Sequence, residues 1–262
     1  GTWRLLAPWI TPEEGTLWRQ ASYRFHALVA DQWRAGRVFV AGDAAHQQPP
    51  FLGQGMCQGV RDAVNLCWRL CAVLQQGAAD TLLDSYGAER KQHVIDLTTR
   101  IKGIGKLITE RDVAKARERD AHLLAECGGV VKPMPRQDVQ PALSKGLLSS
   151  TAHALRGTIF PQALLNRANG EQVRMDDVLG AGWRVVLSAD ADGSFAEACQ
   201  QHHLPNLQVA QLGSSELNEA EGVLAKWFDK AQAKAAIVRP DHYVYGVCDT
   251  AQDLRTQLDT LT

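Results

Sequence analysis

The sequence predicts an α/β protein made of two units, and three observations support this. A short apolar run over residues 38–41 ends at a glycine and leads through a loop into a long helical pattern. Helical periodicity then continues past residue 100, and the last hundred residues alternate short apolar segments with short amphipathic ones. Alternating strands and helices of this kind are typical of the α/β class.

The first unit begins with strand patterns and continues into a helix. Residues 18–25 interleave apolar and polar side chains, which predicts a strand, and the apolar run 38–41 predicts a buried strand. From Met56 the apolar residues follow the i, i+4, i+7 spacing of an amphipathic helix, and Gly77 is placed to cap its C-terminus. The apolar positions are 56, 60, 63, 64, 67, 70, 71 and 74, and the cysteines at 57, 67 and 71 are interpreted as small core residues.

A second helix is predicted to start at Asp80 or Thr81, whose side chains would cap it, and to run past residue 100. Its two glycines near residue 104 weaken it locally. One side of this helix carries Leu83, Tyr86, Arg90, Val94, Leu97, Ile101, Ile104 and Ile108. Residues 110–122 are dense in both charges and predict a solvated helical face, whereas 128–150 are rich in Gly, Pro and Ser and predict a connecting segment. The predicted division is a first unit over 1–127, a linker over 128–154 and a second unit over 155–262.

The second unit shows strands and helices in the order β-α-β-α-β-β-α, which is typical of a thioredoxin-like domain. The predicted strands are 183–188, 207–212, 235–238 and 241–247, and the predicted helices are 194–202, 219–231 and 251–261. Thioredoxin chemistry needs paired cysteines at the start of the first helix, where residues 189–194 contain none. Cys199 lies alone inside that helix, so we expect the fold without thiol chemistry.

Composition excludes several classes of function. A net charge of −1 gives no reason to expect nucleic acid or an anionic membrane as a partner. No apolar stretch approaches the roughly 20 residues that a membrane span needs. The six cysteines are scattered without a CxxC motif, which favours a reducing cytoplasm. The eight histidines show no metal-ligand spacing, so no metal site is predicted.

The segment 36–68 carries most of the functional information. A carboxylate at a strand tip, Asp43, is followed by a proline- and glycine-rich loop that enters a helix, an arrangement suited to a ribose-like diol and an anionic ring edge. The whole segment resembles the second flavin-binding motif of the FAD-dependent aromatic hydroxylases, the p-hydroxybenzoate hydroxylase family. Residues 82–90 are similar to that family as well, and the chain from residue 180 onward more weakly. The first unit would then be the C-terminal part of a Rossmann-like FAD-binding domain.

The resemblance implies an FAD site in this segment. Its residues would be Gly42, Asp43, Pro50, Gly53, Gln54, Gly55, Met56 and Cys57. Asp43 would bond the ribityl chain, and the backbone of Gly55, Met56 and Cys57 would face flavin N1 and the C2 carbonyl. Pro50 would lie beside the reactive ring edge and help to exclude water. Cys57 stands where one member of the family has an asparagine, but the implied contact would come from the backbone. No catalytic residue is identified.

The resemblance also implies an activity. The intact protein would be an oxidoreductase, a flavoprotein monooxygenase that uses NAD(P)H and O₂ to hydroxylate a phenol ortho to its hydroxyl, in aromatic catabolism. The likeness is strongest to members that act on 3-(3-hydroxyphenyl)propionate, and another phenol or a polyketide is the alternative substrate. No GxGxxG motif follows a strand, so we expect a C-terminal fragment that needs the missing N-terminal half and is inactive alone. The alternative from another class is a non-catalytic module for assembly or for contacts in a homodimer.

Several polar residues have a structural interpretation beside a functional one. His46 is interpreted as a hydrogen-bonded structural residue, because no base and orienting partner are visible near it. Asp62 and Asn65 are interpreted as polar groups on the helix surface that could bond neighbouring loops. Residues 239–241, Arg-Pro-Asp, also resemble a segment of these hydroxylases, while a β-turn with proline at its second position explains them structurally.

Overall fold

Helices and strands are mixed along the chain, which confirms the α/β prediction. The computed structural model describes residues 1–131, 133, 135–200, 202 and 204–261. Among these, the α-helices are α1 Thr2–Leu6, α2 Gly55–Gln75, α3 Asp84–Ile108, α4 Val113–Glu126, α5 Arg136–Val139, α6 Met175–Leu179, α7 Gly193–Gln200, α8 Val223–Ala231 and α9 Ala251–Asp259. The strands are β1 Leu28–Val29, β2 Arg34–Ala35, β3 Val38–Phe39, β4 His46–Gln47, β5 Leu164–Asn166, β6 Gln172–Arg174, β7 Arg184–Leu187, β8 Gln208–Gln211, β9 Ala235–Val238 and β10 Val244–Cys248. Short 3₁₀ turns cover Gly42–Ala44, Pro50–Leu52 and Asp80–Leu83.

The two strand predictions in the first unit are wrong in extent. Residues 18–25 form no strand, and Trp18 there is 90% exposed. The predicted buried strand at 38–41 is reduced to β3, a two-residue strand that pairs with β2 across the turn at Gly36, and Val38 is exposed. A strand needs a neighbour to accept its backbone hydrogen bonds, and within the described part of the chain these segments meet at most a two-residue partner.

Helix α2 has the predicted extent, but it buries the face opposite to the predicted one. Its buried residues are Gln58, Asp62, Asn65, Arg69 and Ala72, while Met56, Val60, Val64 and Leu74 are exposed. The apolar stripe that predicted the helix therefore faces outward. The interpretation of its cysteines as core residues is wrong, because Cys67 and Cys71 are exposed and Cys57 is only half-buried.

Helix α3 follows the prediction more closely. Tyr86, Arg90, Val94, Leu97 and Ile101 are all buried on one side. The predicted cap is wrong: Leu83 occupies the N-cap position without a side-chain bond. The Asp80 side chain instead receives a hydrogen bond from Arg34 at 2.5 Å. The charged segment after α3 forms α4, in which no residue is buried, as expected of a solvated helix.

The last hundred residues form a four-stranded sheet in the order β10-β9-β7-β8. Strand β7 runs parallel to β8 and antiparallel to β9, and β10 is antiparallel to β9. The predicted succession of strands and helices is confirmed, with small shifts at the ends. Helix α8 starts later than predicted, at Val223, because the Glu219 carboxylate accepts from the backbone N–H groups of Leu224 and Ala225 at 2.7 and 2.9 Å. The hairpin of β5 and β6 was not predicted.

Apolar side chains cover both faces of this sheet. One face packs Phe160, Leu165, Leu217, Leu224 and Phe228, with α8, into a core. The other face packs against α7 and α9 and includes both Cys199 and Cys248. In the described part of the chain, no helix combines the length and the apolar character required to cross a membrane.

Candidate functional site

The predicted site residues lie together on the loop before α2 and on the first turn of that helix. Gly42 and Gly53 both have positive φ angles, +58° and +61°, a conformation that glycine adopts without strain. Asp43 lies in the 3₁₀ turn between them and is exposed. Gly59 lets this loop lie close to the helix, since a Cβ placed there would be 3.4 Å from the Gly42 Cα.

The N-terminus of α2 has no side-chain cap. Gln54 occupies the N-cap position but makes no side-chain bond to the first-turn N–H groups. Its side-chain oxygen instead accepts a hydrogen bond from Gln140 at 2.8 Å, and the residue is buried. The first-turn N–H groups and the positive end of the helix dipole are therefore available to an anionic or carbonyl group. A cavity of about 280 Å³ beside this turn is lined by Phe51, Leu52, Gly53, Gln54 and Val139.

A buried carboxylate on α2 holds the loop in place. Asp62 Oδ2 accepts hydrogen bonds from the Gly42 backbone N–H and from His46 Nε2, both at 2.9 Å. Its other oxygen accepts from Arg90 Nε at 2.8 Å. Burial alone would raise the pKa of Asp62, but the His46 hydrogen bond and the Arg90 charge lower it below its ordinary value. The interpretation of Asp62 as a surface group is wrong, because the residue is fully buried.

The chain of contacts continues from Arg90 to the linker. Arg90 Nη1 donates to His93 Nδ1 at 3.0 Å, and the other ring nitrogen of His93 lies 3.0 Å from the Pro141 carbonyl oxygen. Because arginine can only donate, His93 carries its proton on Nε2 and donates it to Pro141. Burial, with the Arg90 charge, lowers the pKa of His93 to about 3, so the ring is neutral.

His46 has an orienting partner that the sequence did not reveal. The His46–Asp62 contact resembles a base held by a carboxylate, yet the imidazole is only 2% exposed. Its ring stacks on Trp33, with centroids 5.9 Å apart and planes inclined by 22°. This buried, stacked position supports the structural interpretation, in which His46 fixes the loop.

A second buried network joins α2 and α3 to the C-terminal sheet. Glu89 on α3 receives hydrogen bonds from Arg239 at 2.8 and 2.9 Å and forms an ion pair with Arg69 at 2.7 Å. Asp241 Oδ2 accepts hydrogen bonds from Arg239 Nη2 at 2.7 Å and from Asn65 Nδ2 at 2.8 Å. Two cations and two carboxylates thus balance each other, with all four side chains at most 1% exposed. The prediction that Asn65 lies on the helix surface is wrong.

The charged groups of this network stabilise one another in their ionised forms. Burial alone would raise the pKa of Glu89 and of Asp241, but the Arg239 and Arg69 guanidinium groups bring both below their ordinary values. Burial lowers the pKa of Arg69 to about 10, because it disfavours the charged guanidinium. The β-turn explanation of 239–241 is incomplete: His242 N–H does donate to the Arg239 carbonyl at 3.0 Å, but both charged side chains also reach into the core.

Sequence reasoning missed these networks although a signal was present. Polar residues recur at helical spacing along α2, at positions 58, 62, 65 and 69, and α3 carries Glu89, Arg90 and His93 one turn apart. Each helix thus carries an acidic and a basic residue within a polar stripe, and two such stripes on neighbouring helices indicate a buried network. The apolar stripe on α2 had drawn attention to the other face of the helix.

Comparison with known proteins agrees with this arrangement. Residues 12–101 match the family of FAD binding domains, and residues 157–262 match the HcaD C-terminal domain. A probable NADH-specific resorcinol 4-hydroxylase of Rhodococcus jostii is 39% identical over 261 residues, covering 96% of this chain and 47% of that protein. Over nearly its whole length the chain is therefore similar to about half of an aromatic hydroxylase, and part of it matches an FAD binding domain. A 3-(3-hydroxy-phenyl)propionate/3-hydroxycinnamic acid hydroxylase of Mycolicibacterium vanbaalenii is 34% identical and covers 90% of this chain and 46% of that protein.

Solved structures of flavin-dependent monooxygenases share the fold. The flavin-dependent monooxygenase PieE, in complex with FAD and substrate, aligns with a TM-score of 0.67 at 22% identity, over 91% of this chain and 49% of that one. Aklavinone-11 hydroxylase, in a ternary complex with FAD and aklavinone, aligns with a TM-score of 0.60 at 25% identity, over 90% and 45%. The chain spans about half the length of the curated relatives that it matches.

Proposed function

We propose that this chain forms part of an FAD-dependent monooxygenase that hydroxylates a phenol next to its hydroxyl group. The observation that carries the proposal is the loop with Gly42 and Gly53 at positive φ angles, which holds Asp43 beside an uncapped helix N-terminus. When bound, the flavin would take hydride from NAD(P)H and activate O₂. The substrate class follows from relatives named for resorcinol and for 3-(3-hydroxyphenyl)propionate, which are both meta-substituted phenols.

The residues present fit a flavin in three respects. Asp43 offers an exposed carboxylate that accepts hydrogen bonds from ribityl hydroxyls. The N–H groups of Gly55, Met56 and Cys57 lie on the first turn, where they can donate to an electron-rich ring edge, and the helix dipole favours negative charge there. Gly53, with its positive φ angle, allows the backbone to approach the ring closely.

Neighbouring residues set the geometry of this loop. Gly42 donates to Asp62, which orients the turn that carries Asp43. Pro50 begins the 3₁₀ turn Pro50–Leu52, where a rigid backbone would help to exclude water from the reacting ring. Gln54, tied to Gln140, holds the start of α2.

We also propose the finer organisation of the chain. The boundaries 1–127, 128–154 and 155–262 are supported by separate apolar cores on either side of the linker. A thioredoxin-like architecture for 155–262 is supported by the strand order β10-β9-β7-β8 with β7 and β8 parallel. Burial raises the pKa of the Cys199 and Cys248 thiols to about 11 and about 12, which argues against a redox role.

The exposed apolar stripe of α2 supports the proposal that further polypeptide completes the enzyme. Met56, Val60, Val64 and Leu74 are between 41% and 80% exposed along one side of the helix. A stripe of this kind is usually covered by protein. The missing N-terminal half, with the Rossmann-like part of the FAD domain, would supply that cover.

A structural role for the second unit is the second candidate, favoured by the buried contacts of Glu89 with Arg239. In this role the unit would support the helices behind the flavin loop, residues 42–54, or contact a second subunit in a homodimer. If the purified protein sediments as a monomer, the homodimer proposal is wrong. A cytoplasmic location fits the six cysteines, which are all free thiols.

The site assignment is tested by Asp43→Asn in the full-length enzyme. Loss of a charge-assisted hydrogen bond should weaken FAD retention about tenfold or more, measured as the ratio of FAD to protein after dialysis. Glu118→Gln, on the exposed face of α4, is the matched control and should retain FAD fully. An Asp43→Asn enzyme that keeps its full complement of FAD would overturn the assignment.

The activity is tested with resorcinol and with 3-(3-hydroxyphenyl)propionate. Full-length enzyme should convert at least one of them to the ortho-hydroxylated product with stoichiometric NADH and O₂ consumption. NADH oxidation without a hydroxylated product from either phenol would contradict the proposed substrate class.

A further inference from the structure

A second cavity lies away from the flavin loop, between α2 and the C-terminal sheet. Its volume is about 230 Å³, smaller than the roughly 300–1,000 Å³ of sites for drug-sized ligands. Its apolar walls include Val60 and Val64 of α2, and Ile159, Phe160 and Met175 of the second unit. None of these residues belongs to the predicted flavin site.

Polar groups without partners line this cavity. Arg61 Nη1 and the Tyr243 hydroxyl are buried and have no hydrogen-bond partner in the described part of the chain. Tyr243 is only 3% exposed, so water does not reach its hydroxyl freely. Arg61 also makes no ion pair with any residue described between 1 and 261. Burying a donor without an acceptor is unfavourable, so these two groups suit a ligand that accepts hydrogen bonds.

The carboxylates at the cavity already have cationic or donor partners. Asp176 accepts a hydrogen bond from Arg184, whose other Nη group donates to His242 Nδ1 at 2.8 Å. Asp241 pairs with Arg239 at 2.7 Å. Arg61, a half-buried residue whose Nη1 is buried, is therefore the cation at this cavity that has no carboxylate partner in the described part of the chain. His242 adds an unusual feature, a positive φ angle of +66° in a residue that is not glycine.

We propose that this cavity binds a small organic monocarboxylate. The carboxylate would accept hydrogen bonds from Arg61 Nη1 and the Tyr243 hydroxyl, and the apolar body would lie against Ile159, Phe160 and Met175. An arginine–carboxylate contact supplies the charge-assisted bond, and the apolar walls favour an aryl or alkyl stem over a bare anion. The ligand is held by binding alone, with no covalent step. The site would therefore be a carboxylate-binding site between α2 and the second unit.

The experiment uses 3-phenylpropionate as the probe and the full 262-residue chain, with 3-phenylpropionamide as the neutral match. Ligand-observed NMR titration measures both affinities. The acid should bind at least about tenfold more tightly than the amide, because only the acid satisfies the Arg61 charge. Equal affinity for acid and amide, or no binding of either, would overturn the proposal.

Variants locate the binding. Arg61→Met keeps an apolar stem and should weaken acid binding about tenfold or more, and Tyr243→Phe should weaken it severalfold. Arg111→Met, on an exposed residue outside the cavity, is the matched control and should leave the affinity unchanged. Circular dichroism and thermal unfolding verify that each variant is folded. Acid binding that survives both Arg61→Met and Tyr243→Phe in folded protein would refute this site.

Discussion

At the scale of single residues, two aspartates near the start of α2 differ completely in burial. Asp43 is exposed on the loop, whereas Asp62 is fully buried beneath it. Asp62 accepts hydrogen bonds from the Gly42 backbone, His46 and Arg90. The residue that would touch the cofactor is thus held by one that does not.

Asp62→Asn should destabilise the chain by about 3–5 kcal/mol, because it leaves Arg90 buried without a counter-charge and turns an amide N–H toward a backbone N–H or a ring N–H. Urea unfolding monitored by circular dichroism measures the change. Asp43→Asn is the matched control and should leave the unfolding midpoint unchanged. Equal midpoints for Asp62→Asn and the unmodified chain would show that Asp62 does not support the loop.

His93 should make the stability depend on pH. Its pKa is about 3 in the fold, against about 6.5 in an unfolded chain. Between these values the unfolded state binds a proton that the fold does not, so the free energy of unfolding falls as pH falls, by up to about 1.4 kcal/mol per pH unit. Stability curves between pH 6.5 and pH 5 should be flatter for His93→Gln. Parallel curves for the two proteins would rule out this origin.

At the scale of elements, a helix and a turn are shaped to fit each other. Gly105 on α3 packs against Phe51, which lies in the turn that begins with Pro50. A Cβ at Gly105 would be 2.4 Å from a Phe51 ring carbon, whereas a Cβ at Gly103 would meet no atom within 4 Å. One glycine of this helix is therefore required by packing, and the other is not.

Alanine substitution of the two glycines should have opposite effects. Gly103→Ala should raise stability by roughly 0.5–1 kcal/mol through helix propensity alone. Gly105→Ala should be about 1–3 kcal/mol less stable than Gly103→Ala, because the added methyl displaces Phe51. Thermal unfolding measures both. An equal gain in stability from the two substitutions would show that Phe51 moves aside without cost.

At the scale of the whole molecule, the charged network around Glu89 joins α2 and α3 to the C-terminal sheet. Arg239 comes from the turn between β9 and β10, Glu89 from α3, and Asn65 and Arg69 from α2. Arg239 also donates to the Leu147 carbonyl of the linker at 2.7 Å. A single arginine therefore connects the C-terminal sheet, the segment around Leu147 and the helices behind the loop that carries Asp43.

Arg239→Met should destabilise the chain by about 3–5 kcal/mol, because Glu89 and Asp241 lose their shared counter-charge. The linker over 128–154 should also become more sensitive to limited proteolysis, which a purely local defect would not cause. Arg174→Met breaks an exposed ion pair with Asp177 and is the matched control, with an expected change within about 0.5 kcal/mol. If protease cleaves residues 128–154 of Arg239→Met no faster than in the unmodified chain, the network does not hold this segment in place.

The sequence by itself determined the α/β class, the extents of α2 and α3, and the order of elements in the last hundred residues. These features depend on local periodicity, which the chain displays directly. The segment with Gly42, Asp43 and Gly53 was also visible in the sequence, because positive φ angles and a helix start need particular residue types.

Only the tertiary structure decided which face of α2 is buried. Gln58, Asp62, Asn65 and Arg69 are polar, and a hydrophobicity pattern assigns such residues to the surface. They are buried because α3 and the C-terminal turn bring Glu89, Arg90, Arg239 and Asp241 to them, as far as 176 residues away in sequence. Burial of a charged group depends on partners that fold next to it, and no local pattern specifies those partners.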